Sequence, residues 1–125
     1  MILIFGGAYQ GKLEYALTTF DRTEEQVHTC ERSTTLPETP AVLYKLEDFV
    51  YACTEAGLEA REILASHKDD LKNTIFIATD VSQGLVPMEA TDRAFREMMG
   101  RTLLYLTKEA EQVHRVFCGL GQRLK

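Results

Sequence analysis

Apolar residues in this chain follow two patterns: short unbroken runs, and longer stretches in which they recur every three or four positions. Residues 2–5 (ILIF) are such a run, closed by Gly6-Gly7, and predict a buried strand entering a tight turn. Over residues 12–20, Leu13, Ala16, Leu17 and Phe20 stand at helical spacing. Residues 26–30 predict a weaker second strand, the polar ERSTTLPETP of 31–40 a loop, and residues 41–44 another short strand. Phe49, Val50, Cys53, Ala56, Ala60, Ile63 and Leu64 predict one long amphipathic helix over 47–67, with Gly57 an unfavourable residue in its middle. TIFIAT at 74–79 is the clearest strand, continuous and β-branched, suited to burial on both faces. Pro87 fits a helix start, and residues 91–110 carry Phe95, Met98, Met99, Leu103, Leu106 and Ala110 on one side of a second long helix. Residues 113–118 and 122–125 flank Gly119-Leu120-Gly121 and predict a closing hairpin.

Short buried strands alternating with helices predict an α/β fold: a mostly parallel sheet flanked by helices, with a C-terminal hairpin, in one domain over residues 1–125. The composition, 45% hydrophobic and 26% charged, is that of a folded chain rather than a disordered one. A net charge of -5 with no run of Lys or Arg argues against a nucleic-acid partner, but leaves room for a local phosphate site built from backbone amides. The N-terminal apolar run is too short for a membrane span and lacks the basic start of a signal peptide, so a cytoplasmic protein is expected. Cys30, Cys53 and Cys118 are far apart and form no CxxC pair, which suits a reducing compartment and predicts neither a disulfide framework nor a zinc site. His28, His67 and His114 are equally scattered and predict structural or surface roles.

One segment carries chemistry. Gly6-Gly7-Ala8-Tyr9-Gln10-Gly11-Lys12 satisfies G-x-x-x-x-G-K between a predicted strand and a predicted helix. Glycines let backbone N–H groups curl around phosphate oxygens, the helix N-terminus adds positive potential, and Lys12 reaches the β and γ phosphates. Gly6, Gly7, Ala8, Tyr9, Gln10, Gly11, Lys12 and Leu13 are therefore the candidate nucleotide-binding residues. The plainer alternative is a glycine turn with a solvated lysine. Leu13 breaks the pattern, because a Ser or Thr there would ligate Mg²⁺. Lys45 follows the strand 41–44 where a second acid is expected; Glu47 and Asp48 come just behind, in a helix start that can turn them away. Asp80, closing TIFIAT, is the best remaining acid and joins Lys12 as a candidate catalytic residue; an N-cap or turn aspartate is an equal alternative. Arg93, Arg96 and Arg101 are either phosphate contacts or a solvated helix face, and Met88, Met98 and Met99 read as core filler.

The opening ILIFGGAYQGKLEYA resembles the start of the bifunctional adenosylcobinamide kinase/adenosylcobinamide-phosphate guanylyltransferases, with Gly6, Gly7, Ala8, Gly11, Lys12, Tyr15 and Ala16 in matching places. Further on, Thr79-Asp80, Gly84-Leu85-Val86-Pro87, Arg93, Phe95-Arg96-Glu97, Gly100-Arg101, Gly119-Leu120 and Lys125 resemble that family's strand end, turn, helix and closing hairpin. The resemblance implies a P-loop sheet, homo-oligomers, and phosphoryl transfer from ATP or GTP to adenosylcobinamide, followed by guanylyl transfer through a histidine. The departures are Leu13 for the metal-binding Ser, Glu14 for a basic residue, Lys45 for an acid, Ser82 for a glycine and Leu103 for an Asn. The family's guanylyl-accepting histidine stretch has no counterpart between Cys30 and Pro40, so that second step is expected to be lost.

Two readings stay open. In the first, an enzyme holds ATP or GTP on Lys12 and the loop amides, Mg²⁺ rides on the phosphates and water, and Asp80 is the acid nearest to it. In the second, a non-catalytic paralogue binds nucleotide or cobinamide, or pairs with a full-length relative, and Lys45 replaces the missing cation by meeting phosphate.

Overall fold

The computed structural model describes residues 1–81 and 90–125. Strand β1 (Ile2–Gly6) leads into helix α1 (Lys12–Thr19), and a 3-10 turn at Glu24–Gln26 precedes β2 (Val27–Thr29). Then come β3 (Val42–Tyr44), three helices α2 (Leu46–Ala56), α3 (Ala60–Ser66) and α4 (Lys68–Leu71), and β4 (Ile75–Thr79). Helix α5 (Ala90–Glu109) and the strands β5 (Gln112–Phe117) and β6 (Leu120–Arg123) complete the chain. The six strands form one sheet in the order β2-β3-β4-β1-β5-β6, parallel throughout except for the β5–β6 hairpin. This is the mostly parallel α/β sheet that the sequence pattern predicts.

Strand periodicity explains the two core layers. Successive side chains of a strand point to opposite faces, so Leu3, Leu43, Phe76 and Val113 pack under α2, α3 and α5. Their neighbours Ile4, Val42, Ile77 and Val116 pack under α1 with Ala16 and Leu13. Residues 75–78 of β4 are all buried, as a strand covered on both faces requires. Burying a Phe76 or Leu71 side chain stabilises the fold by roughly 1.5–3 kcal/mol each.

The helix expected over 47–67 is two helices. Gly57 adopts φ 70°, and Leu58 N–H donates to Cys53 O at 2.9 Å while Gly57 N–H donates to Thr54 O at 3.3 Å. These bonds close α2 with a left-handed glycine cap, and α3 restarts at Ala60, so the apolar periodicity runs on across a backbone break. The hairpin turn also differs: Cys118 and Gly119 hold positive φ and make a tight turn, which leaves Leu120 and Gly121 inside β6. Ser82, Gly84-Leu85-Val86-Pro87 and Met88 lie outside the described residues. Among the described residues no helix is long and apolar enough to cross a membrane.

The connections fix where a ligand can sit. From β1 the chain runs across to the far edge over the α1 face, whereas from β4 it passes over the opposite face to β5. Where the helices that follow two neighbouring strands pack on opposite faces, a crevice lies at the C-terminal ends of those strands. Here those ends are Gly6 and Thr79, paired in register.

Candidate phosphate-binding site

The loop 7–11 occupies that crevice. Gly11 caps α1 with φ 82°, a conformation that favours glycine, and a Cβ there would stand 3.4 Å from Gly119 Cα. At Gly6 a Cβ would run into the Val116 carbonyl oxygen of the neighbouring strand. Each glycine of the motif's frame thus answers to a neighbour across the sheet. Tyr9, between them, takes φ 59° and is fully solvent-exposed.

The hairpin turn holds the loop in place. Gly119 N–H donates to Gln10 O at 2.8 Å, and Cys118 N–H donates to the Gln10 side-chain oxygen at 2.6 Å. Lys12 is 7% exposed, and its ammonium donates to Gly7 O at 2.7 Å, folded back across the loop. Burial pushes that ammonium below the ordinary lysine value, while the Glu47 carboxylate opposes the shift. A buried cation at the N-terminus of a helix attracts a phosphate-sized anion.

Tyr15 ties α1 to the hairpin. Its hydroxyl meets His114 Nδ1 at 2.8 Å, and His114 Nε2 meets the Gln112 side-chain oxygen at 2.8 Å. That oxygen only accepts, so the network assigns the ring proton to Nε2 and makes Nδ1 the acceptor from Tyr15. His114 is buried and its pKa is lowered, by burial and then by Arg123. It is structural, as expected; His28 and His67 are exposed.

Leu13 packs into the apolar layer beside Ile4 and Ala16. Its side chain offers no oxygen, and among the described residues no three His, Cys, Asp or Glu side chains gather as a metal site. Leu13 therefore cannot hold Mg²⁺ at this position as a Ser or Thr would. Asp80 is half-buried at the end of β4, and its N–H donates to Gly6 O at 2.8 Å, which places its backbone at the mouth of the loop. Lys45 is exposed, with φ 58°, and its ammonium lies 5.7 Å from the centre of the Tyr44 ring.

The acid that the sequence pattern suggested could be turned away is turned inward. Glu47, in the first turn of α2, accepts a hydrogen bond from Thr79 N–H at 2.9 Å. Its charge acts on Lys12 on one side and on Cys30 on the other; the Cys30 thiol is pushed up to about 12 by burial first, then by Glu47 and Asp48. Helical side chains lean toward the helix N-terminus, and α2 begins over the sheet edge, which is the one sequence-level signal for this position. The arginines divide differently. Arg101 pairs with Glu59 at 3.0 Å, Arg96 Nε donates to Val81 O at 2.9 Å, and Arg93 is exposed. Met98 and Met99 are core residues.

A cavity of about 210 Å³ opens at the ends of β2 and β3, lined by His28, Cys30, Glu31, Ser33, Thr35 and Phe49. Comparison with known proteins adds one match. Residues 40–124 match the family model described as cobinamide kinase / cobinamide phosphate guanyltransferase. The matched stretch begins after the loop 7–11, so the loop's assignment stands on geometry. No curated protein matches the chain.

Proposed function

This chain belongs to the cobinamide kinase / cobinamide phosphate guanyltransferase family, and from that premise we propose that it binds the phosphates of ATP or GTP on residues 6–13 and passes a phosphoryl group to adenosylcobinamide. Family membership supports a nucleotide-binding role connected with cobalamin biosynthesis. The observation that carries the finer reading is Lys12: a buried ammonium on a loop carbonyl, at the strand-to-helix turn of the switch-point crevice. Phosphoryl transfer depends mostly on positioning and charge, and this loop supplies both.

Guanylyl transfer falls outside the proposal. No histidine stands between Cys30 and Pro40, and His114 is committed to Tyr15 and Gln112. Leu13 favours a second reading, a binding protein without catalysis, because the usual metal ligand is replaced by a core side chain. Mg²⁺ enters this scheme only as the nucleotide's own counter-ion. Self-association belongs to the same reading, since Phe117 and Leu120 pair across the hairpin and are both exposed.

Calorimetric titration with GTP and ATP, with and without Mg²⁺, tests the proposal against a Lys12→Ala control. Micromolar binding lost in Lys12→Ala, followed by phosphorylation of cobinamide, is the expected result. Binding without transfer selects the non-catalytic reading. Absence of binding to either nucleotide overturns both.

A further inference from the structure

Four features stand in a row across the C-terminal edge of the sheet. Cys30 and the 210 Å³ cavity follow β2, Glu47 follows β3, Thr79 ends β4, and the lysine-bearing loop follows β1. Neighbouring strands lie about 5 Å apart, so the loop and the far wall of the cavity are separated by roughly 15 Å. Glu47 stands between them. Its Oε1 is held by Thr79 N–H, and Thr79 pairs in register with Gly6, the first residue of the phosphate loop. Among the described residues Glu47 makes no salt bridge, and its Oε2 accepts no hydrogen bond.

We propose that the cavity behind β2 and β3 receives the hydroxyl-bearing arm of the acceptor, and that Glu47 is the general base that takes the proton from that hydroxyl. The inference rests on the reading that the loop 6–13 holds the nucleotide. Its geometry is that of a two-sided site: donor phosphates on the β1 side, acceptor on the β2 side, and one carboxylate in the gap. The cavity lining suits such an arm, since Ser33, Thr35, His28 and Glu31 offer hydroxyl, imidazole and carboxylate groups around the single apolar wall of Phe49. At about 210 Å³ it admits a short polar arm and excludes a macrocycle, which would stay outside at the rim. The Cys30 thiol in the same wall is held protonated and has no part in the step.

The step balances without an added reactant. The acceptor oxygen attacks the terminal phosphorus while its proton passes to the Glu47 carboxylate. The bond from that phosphorus to the bridging oxygen breaks, its electron pair leaves with the nucleoside diphosphate, and Glu47 then releases the proton to water. Lys12 balances charge on the phosphates during the transfer.

Glu47→Gln tests the assignment because glutamine keeps an oxygen for Thr79 N–H and removes only the charge and the basicity. Nucleotide affinity is measured by calorimetry, and phosphoryl transfer to cobinamide is followed across a pH series. The variant should bind nucleotide as well as the wild type or a few-fold more tightly, because an anion beside Lys12 is gone. Its transfer rate should fall on the order of 100-fold or more, and the acidic limb of the wild-type pH profile should disappear. Should Glu47→Gln fold poorly, Ser33→Trp provides a second reading: filling the cavity should raise the acceptor KM at least tenfold with nucleotide affinity unchanged. Equal transfer rates in wild type and Glu47→Gln, or an acceptor KM indifferent to Ser33→Trp, overturn the inference. Wild-type protein that binds nucleotide but transfers nothing overturns it while leaving the binding reading intact. Wild-type protein that binds no nucleotide overturns both.

Discussion

The loop after β1 and the strand ends after β3 and β4 share one crevice, yet they were built by different means. The loop is a backbone object. Its form comes from glycine at 6 and 11, from Gln10 bonded to the hairpin turn, and from the start of α1, so a short run of sequence specifies nearly all of it. The other side is a side-chain object. There Lys45 takes a left-handed conformation, swings its ammonium over Tyr44, and lets the next turn of helix deliver Glu47 to Thr79. A carboxylate is thus present at the strand ends two residues after the position where the motif has its acid, which a position-by-position comparison of motifs does not detect.

Removing the cation on the loop side should have the largest effect. Lys12→Ala should weaken nucleotide binding by about 100-fold, or ~3 kcal/mol, as read by calorimetry. Lys45→Ala, on the opposite side, should leave affinity nearly unchanged. A large loss in Lys45→Ala would erase the contrast and restore that lysine as a phosphate ligand.

Backbone form comes next. Gly11→Val places a β-branched side chain at φ 82° beside Gly119 Cα, at a cost of roughly 2 kcal/mol in stability, with nucleotide affinity falling alongside. A denaturant midpoint equal to that of the wild type would show that the loop is not held as described. On the other side, Glu47→Ala leaves the half-buried Thr79 N–H without its partner and should cost about 1–2 kcal/mol by the same measurement, whereas Glu47→Gln should cost much less. Gln10→Ala removes one bond to the hairpin turn and should cost about 1 kcal/mol, with a few-fold loss in affinity.

The smallest effect is a pH dependence. His114 is held neutral, its folded pKa below the ordinary value of 6.5. Its contribution to stability is therefore fully present above about pH 6.5 and is lost as pH falls from there through the folded pKa, because the unfolded chain takes up the proton first. Unfolding experiments from pH 7.5 to 5 should show this slope in the wild type and a shallower one in His114→Phe. Equal slopes would remove His114 from the account of how α1 is tied to the hairpin.

Much of the architecture was legible from pattern. TIFIAT and ILIF are continuous apolar runs, and each became a strand buried on both faces at the centre of the sheet, because such a run has no polar side to turn outward. The G-x-x-x-x-G-K spacing placed the loop correctly between β1 and α1. Periodicity misled over 47–67, where the apolar face continues through Gly57 although the helix does not; a repeat in side chains says nothing about which glycine takes a left-handed cap. In the hairpin, two glycines and a leucine gave three residues in which to place a turn, and only the pairing of Phe117 with Leu120 chose Cys118-Gly119.

Sequence alone determined the fold class, the glycine-framed loop between β1 and α1, and the absence of a side-chain hydroxyl at Leu13, since each depends on local residue types at fixed spacing. Tertiary structure decided the rest. It determined that Gln10 is fastened to a turn 108 residues away, that Tyr15 is bonded to His114, and that Glu47 is bonded to the end of β4 at Thr79. Those relations follow from the order of strands in the sheet, and strand order is set by which packed layers bury the most apolar surface rather than by any stretch of neighbouring residues.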